Sequence, residues 1–163
     1  MKFLKPEDLI IIENDNEFIL RKGFLHMNEV IIDKKESAVD FNDRMFDFIK
    51  NEGIKKIHHK EMELLKKLID GLVLVSGSRV YGKKETQKRT AVTAFNLERF
   101  SSNELAFKLQ HDYDIQIRGG LHCAPLLHKF LGTDNQGMLR ISPGYFNTEA
   151  EVNEFLNIIE TLI

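Results

Sequence analysis

Residues 118–148 contain several side chains whose types and spacing could do chemistry. The single cysteine of the chain, Cys123, directly follows His122 and stands just before Pro125, a residue type that is common in the first turn of a helix. Cationic neighbours such as Arg118 and the N-terminus of a helix favour the thiolate, and the thiolate is the reactive form of cysteine. The glycine pair at 119–120 permits a tight turn that could present the thiol outward. This segment therefore predicts a reactive cysteine on a loop.

A second candidate, Arg140, stands on a predicted strand shortly before the turn Pro143-Gly144. The planar fork of an arginine suits bidentate recognition of a carboxylate. Taken alone, these residues also allow simpler interpretations. Cys123 could be an inert core residue, His122 and His128 could be structural, and Arg140 could form an ordinary surface ion pair. A zinc site built from Cys123 and the two histidines lacks a fourth ligand at zinc-like spacing.

The elements that must position these residues follow from hydrophobic periodicity and from turn and capping signals. Ser101–Glu104 and Thr148–Glu151 each have the pattern of a capping box, which predicts that a helix begins at each. The remaining predicted helices cover residues 41–52, 55–70 with Gly71 as the C-cap, and 125–131. The predicted strands are 72–75, 79–81, 90–97, 115–117 and 138–142.

This order of elements predicts an α/β (α+β) fold, with a small mixed or antiparallel sheet and helices on one face. Residues 1–43 differ from the rest. Two short strands, 17–21 and 29–33, flank Gly23 and predict a β-hairpin or an extended arm. We therefore expect two parts, an arm at 1–43 and a compact domain at 44–163.

Composition narrows the class of protein. The chain has 163 residues, 42% of them hydrophobic, and a formal net charge of -2, so it lacks the basic surface that nucleic-acid binding requires. No apolar run approaches the length of a membrane span, and the N-terminus lacks the apolar core of a signal peptide. One cysteine cannot form an internal disulfide, so we expect a reducing, cytoplasmic location.

The motifs around Cys123 resemble the C-terminal small domain of class V aminotransferases, in particular the cysteine desulfurase-like group of pyridoxal-phosphate enzymes. The resemblance covers roughly residues 41–163. The pattern of an arginine, a glycine and His-Cys-Ala is met by Arg118, Gly120 and residues 122–124. The later elements are met by Arg140, Ser142, Tyr145, Asn147, Thr148 and Glu151, and upstream similarity lies at residues 59–61, 80–82 and 93–96.

The resemblance implies the small-domain architecture of fold-type I pyridoxal-phosphate enzymes and a set of residue roles. Cys123 would accept sulfur from a cysteine–cofactor adduct and become a persulfide. Arg140 would hold the substrate carboxylate, and Arg118 and His122 would shape the loop and the substrate site. Physically, these roles place a nucleophilic thiol near a cationic anchor for a carboxylate.

The resemblance does not extend to the lysine that binds pyridoxal phosphate in this family. Lys60 follows His59, but it falls inside a predicted helix of the small domain, so we reject it as that lysine. We therefore expect the chain alone to hold no cofactor and to be inactive without a large domain. The expected partners are a large-domain polypeptide or a second copy, and a sulfur-acceptor protein. A non-catalytic sulfur-relay or partner-binding module, and the small domain of a selenocysteine lyase-like enzyme, are the alternatives.

Overall fold

The computed structural model describes the backbone of residues 10–13, 17–21 and 30–33, and residues 46–163 in full. The described residues fall in two compact units, one that ends at Lys60 and one that begins at Glu61. In the first unit, β1 (Ile10–Glu13), β2 (Glu17–Arg21) and β3 (Val30–Asp33) pair antiparallel in chain order. The predicted strands of the arm are thus present, with a third strand before them. The position of the domain boundary stays a prediction.

Two helices follow the arm. Residues 46–52 are helical (α1), and the turn after them places Gly53 at a φ of 83°, in the left-handed region that favours glycine. Helix α2 runs from Ile54 to Leu74. The prediction that Gly71 ends this helix was wrong, and so was the predicted strand at 72–75. Gly71 lies inside α2, where a β-carbon would stand 2.3 Å from Cδ1 of Leu156, so glycine gives that side chain room.

The unit that begins at Glu61 contains a three-stranded antiparallel sheet. Its strands are β4 (Ser78–Tyr81), β5 (Thr93–Leu97) and β6 (Leu139–Ile141), in the order β4-β5-β6. In the register, Val80 faces Phe95 and Phe95 faces Leu139. Residues directly opposite each other lie on the same face, so this row defines one side of the sheet.

Three helices pack on that side. They are α2, α3 (Ser102–Tyr113) and α5 (Glu149–Thr161), and they share one core with Phe95 and Leu139. The rings of Phe95 and Phe155 meet edge to face at 6.0 Å. This arrangement confirms the predicted α/β fold with helices on one face, and it decides between the two predicted sheet types, because all pairings in this sheet are antiparallel.

The short helix α4 (Pro125–Leu131) lies where Pro125 predicted its first turn. The predicted strand at 115–117 is absent. Ile115 is buried in the helical core, and its N–H bonds to the carbonyl of Leu109, so only Arg118 reaches β6. Within the described ranges, no helix combines the length and the apolar character that crossing a bilayer demands.

Candidate functional site

The sheet face opposite the helices carries the predicted arginines. Arg140 pairs with Ala94 across β5 and β6, one position from the core row, so it projects away from the core. Arg118 forms an isolated bridge to Arg140, with the N–H of each bonded to the carbonyl of the other at 2.8 and 3.4 Å. The two side chains are therefore direct cross-strand neighbours on one face, and both are exposed.

The two guanidinium groups place two positive charges next to each other on this face. Among the residues that the structure describes, no ion pair within 4.0 Å includes Arg118 or Arg140. Like charges directly opposite each other destabilise a sheet. A face that holds two unpaired arginines in this position is well suited to an anion, and a carboxylate matches the geometry of the guanidinium fork.

The loop between Arg118 and α4 has an unusual backbone. Gly120 has a φ of 110°, and the next two turn residues, His122 and Cys123, have φ values of 51° and 60°. The left-handed conformation costs a non-glycine residue about 1–2 kcal/mol. The loop ends as α4 begins, with the N–H of Ala124 bonded to the carbonyl of Leu121 at 2.8 Å. The thiol of Cys123 is free and exposed.

His122 connects this loop to the strand that carries Arg140. Its Nε2 donates to the carbonyl of Met138 at 2.9 Å, which leaves Nδ1 as an acceptor when the ring is neutral. Nδ1 is buried and has no partner among the described residues. The pKa of His122 lies below its ordinary value, mainly because burial disfavours the charged ring, and the positive charges of Arg140 and Arg118 act in the same direction. The hydrogen bond to Met138 opposes this effect.

The second histidine of the segment, His128, lies within α4 and is buried. Its Nδ1 lies 2.9 Å from the hydroxyl of Thr133, which is itself buried. The rings of His122 and His128 are 6.2 Å apart. This bond ties α4 to the residue two positions beyond its end, and the buried His128 is not open to a ligand from outside. In the described part of the chain, no group of three histidine, cysteine or acidic residues could hold a metal ion.

Two polar residues to which the sequence gave no role, Asn96 and Gln136, form hydrogen bonds next to the same region. The amide of Asn96 donates to the carbonyl of Gly137 at 2.8 Å and to the side chain of Gln136 at 3.1 Å. Gln136 in turn donates to the carbonyls of Leu97 and Phe100. Asn96 belongs to the segment 93–96 that resembles the family, but the resemblance gave it no role, and nothing in the sequence marked Gln136 as its neighbour.

Pyridoxal phosphate would need a lysine amine and donors for its phosphate. The side chains in contact or electrostatic interaction with His122 of the Cys123 loop, which comprises residues 119–124, are those of His128, Arg118 and Arg140, and none of these is a lysine. This set fits a carboxylate and a reactive sulfur. It does not fit the cofactor, so we derive no step of a reaction through that group.

Comparison with protein families matches residues 39–155, more than half of the chain, to the family described as aminotransferase class-V. The chain belongs to this family. Among curated proteins, it is 31% identical over 118 residues to a probable cysteine desulfurase from Synechocystis sp., and 33% identical over 110 residues to a cysteine desulfurase from Cronobacter sakazakii. These matches cover 72% and 68% of this chain, but only 27% and 26% of the relatives.

A solved structure gives the same result. The apo cysteine desulfurase from Thermococcus onnurineus superposes with a TM-score of 0.67 at 31% identity, over 72% of this chain and 28% of that one. The resemblance drawn from the motifs is confirmed, and the chain is a cysteine desulfurase-like class V aminotransferase sequence. It spans about a quarter of the length of the curated relatives it matches, so their activity does not transfer directly.

Proposed function

We propose that this chain is the C-terminal small domain of a cysteine desulfurase-like enzyme, in which Cys123 accepts sulfur and Arg140 binds the substrate carboxylate. The observation that carries the proposal is that hydrogen bonds attach the exposed Cys123 loop to β6 and to the residue before it. Arg118 pairs with Arg140 at the start of the loop, and His122 bonds to Met138, two residues before Arg140. An exposed thiol and an arginine pair that has no ion-pair partner among the described residues therefore belong to one small region.

The proposed transfer needs no oxidant. The Cys123 sulfur forms a bond to the sulfur of a substrate cysteine, and the carbon–sulfur bond of the substrate breaks. The electron pair of that bond stays on the carbon, which takes up a proton. Cys123 is left as a persulfide, and the substrate is left as alanine. A guanidinium at the substrate carboxylate fixes the sulfur relative to the thiol, which is the contribution that orientation makes to such a reaction.

The cofactor of the family, pyridoxal phosphate, supplies the electron sink for this chemistry when it is bound. We propose that it is held by a large-domain polypeptide, and that this chain binds that polypeptide or a second copy of itself. The exposure of α4 supports a partner, because Leu126 is 83% exposed and Phe130 is 85% exposed. Large apolar side chains in such a position often mark an interaction surface. Sedimentation of the chain as a strict monomer at all concentrations would contradict self-association.

The arginine part of the proposal can be tested on the chain alone. Iodoacetate and iodoacetamide alkylate the same thiol, but only iodoacetate carries a carboxylate. At a separation of about 8 Å, partly screened by water, a guanidinium favours a carboxylate by about 0.5–1 kcal/mol, which corresponds to a preference on the order of two- to sixfold. We expect the iodoacetate to iodoacetamide rate ratio for Cys123 to exceed that of the urea-unfolded chain by this factor, and to fall when salt is added.

Arg140→Gln should remove most of the preference. Arg79→Gln is the matched control, because Arg79 lies on the same face but on β4, two strands away, where it stacks over Tyr81. A ratio that is unchanged by Arg140→Gln, or equally reduced by both variants, would show that Arg140 does not hold a carboxylate near Cys123.

Sulfur transfer itself requires reconstitution. The purified chain, pyridoxal phosphate and cysteine are mixed under reductant, with and without a large-domain polypeptide of the family, and sulfide and the absorbance of bound cofactor are followed. We expect turnover only with the added polypeptide, and none with Cys123→Ala. Turnover by the chain alone that disappears with Lys60→Ala would show that our rejection of that lysine was wrong. Persulfide on Cys123 without turnover would favour a sulfur-relay module.

A further inference from the structure

The Cys123 loop meets the first residue of α3 at Ser102. The side chain of Ser102 is buried, with 2% exposed. Its hydroxyl donates to the carbonyl of Gln136 at 2.7 Å and accepts the N–H of Gly120 at 3.0 Å. One hydroxyl thus joins the backbone just before the Cys123 turn to the backbone just before β6. We call this contact, made by Ser102, Gly120 and Gln136, the loop junction.

The backbones at the loop junction approach so closely that side chains are excluded. A β-carbon on Gly119 would lie 2.3 Å from the carbonyl oxygen of Ser102. A β-carbon on Gly137 would lie 2.4 Å from the Ser102 hydroxyl and 3.0 Å from the backbone of Gly120. Real β-carbons do not come as close as 2.3–2.4 Å to another heavy atom, so the geometry requires glycine at both positions that pack against Ser102, 119 and 137.

From the loop junction, hydrogen bonds lead to residues that are close in sequence to both proposed functional residues. Gly120, whose N–H is held by Ser102, accepts the N–H of Met138 at 3.1 Å through its own carbonyl. Met138 accepts from His122, the neighbour of Cys123, and stands two residues before Arg140. The position of Gly120 therefore affects the Cys123 turn and the Arg140 strand together.

We propose that Ser102 is a positioning residue, whose hydroxyl fixes the Cys123 loop against β6 and so sets the placement of the thiol relative to the arginines. This inference rests on the proposed function, since it concerns the same two residues. Ser102 touches neither substrate nor thiol in this role. It acts through Gly120.

A purely structural role for a serine at the start of a helix must be distinguished from positioning, and the chain provides the control. Ser101, the adjacent residue, is the N-cap of α3, and its hydroxyl accepts the N–H of Glu104 in a capping box. Ser101→Ala and Ser102→Ala both remove one hydroxyl from the same helix start. Only Ser102→Ala removes a partner of the Cys123 loop.

The experiment measures three quantities in wild type and both variants, each shown to be folded by circular dichroism. These are hydrogen exchange at the Gly120 amide, the iodoacetate to iodoacetamide ratio at Cys123, and the pKa of His122 by NMR. In Ser102→Ala, we expect exchange at Gly120 to rise by roughly fivefold or more, as for the loss of a hydrogen bond to a buried donor. We expect the alkylation ratio to fall towards that of the unfolded chain, and the pKa of His122 to rise towards its ordinary value as the ring becomes hydrated. Ser101→Ala should leave all three at their wild-type values.

Equal changes in the two variants, or no change in Ser102→Ala, would overturn the proposal. If Ser102→Ala does not fold, the wild type still decides, because exchange at Gly120 as fast as in an open loop would show that the loop junction does not exist in solution. A wild-type alkylation ratio equal to that of the unfolded chain would refute the arginine part of the proposed function. In that case, Gly120 exchange and the His122 pKa still test the loop junction separately.

Discussion

Replacement of Gly137 by alanine tests one of the two tight glycine contacts with Ser102. The new β-carbon would lie 2.4 Å from the Ser102 hydroxyl and 3.0 Å from Gly120, on backbone with a φ of 68°. The left-handed conformation costs alanine about 1–2 kcal/mol. Forcing the surrounding backbone apart costs typically about 1–3 kcal/mol more. Gly137→Ala should therefore lower the free energy of unfolding by about 2–5 kcal/mol.

Gly132→Ala separates the two contributions. Gly132 has a φ of 67°, almost the same as Gly137, but a β-carbon there meets no heavy atom within 4 Å. It should therefore show the backbone cost alone, and any effect of alanine on the unfolded chain is common to both variants. The difference between the variants isolates the crowding at the loop junction and should be about 1–3 kcal/mol.

Urea unfolding followed by circular dichroism measures this difference. With a slope of about 1–3 kcal/mol per molar urea, the midpoint of Gly137→Ala should lie roughly 1 M below that of Gly132→Ala. Equal midpoints would mean that the backbones of Gly137, Gly120 and Ser102 are farther apart in solution than the structure places them. Ser102 would then be too far from Gly120 to hold the Cys123 loop against β6.

Titration, helix packing and backbone strain provide three more tests. Burial lowers the pKa of His122 below its ordinary value of 6.5, so just below that pH the unfolded chain binds more protons than the folded chain. The free energy of unfolding should therefore fall as the pH decreases through about 6.5, and it should fall less in His122→Gln. Identical pH profiles of the two proteins in urea titrations would contradict this. Gly71→Ala should destabilise the chain while Leu156 is present, because the new β-carbon clashes with that side chain. In a Leu156→Ala background only the helix propensity of alanine remains, so the same substitution should stabilise the chain by about 1 kcal/mol. The free energies of unfolding of the four proteins measure both effects. Cys123→Gly should be more stable than Cys123→Ala by about 1 kcal/mol, because only glycine adopts a φ of 60° without cost, and equal stabilities would show that the turn relaxes in solution.

The parts of the fold that were predicted correctly are those with local signals. Ser101–Glu104 and Thr148–Glu151 each predicted a helix start, and in each the side chains and backbone N–H groups bond reciprocally as the capping box requires. The Pro125 signal for α4 is equally local. Such signals are contained in four or five adjacent residues, so no knowledge of the rest of the chain is needed.

The parts that were missed depend on contacts between distant residues. Gly71 indicates a helix end by itself, but α2 continues past it and buries Leu72 in the core, while the glycine leaves room for Leu156 of α5. The alternation at 115–117 indicates a strand, but Ile115 is used by the helical core, and the pairing with β6 begins at Arg118. In both cases, tertiary packing overrides a local pattern that is correct on average.

The candidate site divides in the same way. The residue types of Cys123, His122 and the arginines predicted a thiol and a carboxylate anchor. The direct pairing of Arg118 with Arg140 depends on strand register, which the sequence does not specify for so short a bridge. Ser102 was hidden for a different reason, because Ser101 already accounts for the capping pattern and leaves the next serine without an evident role.

The Cys123 loop combines a position set by the main chain with chemistry set by side chains. The bonds that hold it at Gly120 engage only its N–H and carbonyl, and these groups do not depend on which side chains follow at 121–124. Yet His122 and Cys123 both occupy left-handed backbone that glycine would adopt without cost. His122 still contributes a hydrogen bond to Met138, but the fold gives no reason for a cysteine at position 123, where the strain lowers stability. Strain of this kind concentrates at functional positions, where the surrounding structure holds a residue in a conformation that its chemistry requires. This supports a chemical role for Cys123 on grounds that are independent of its family.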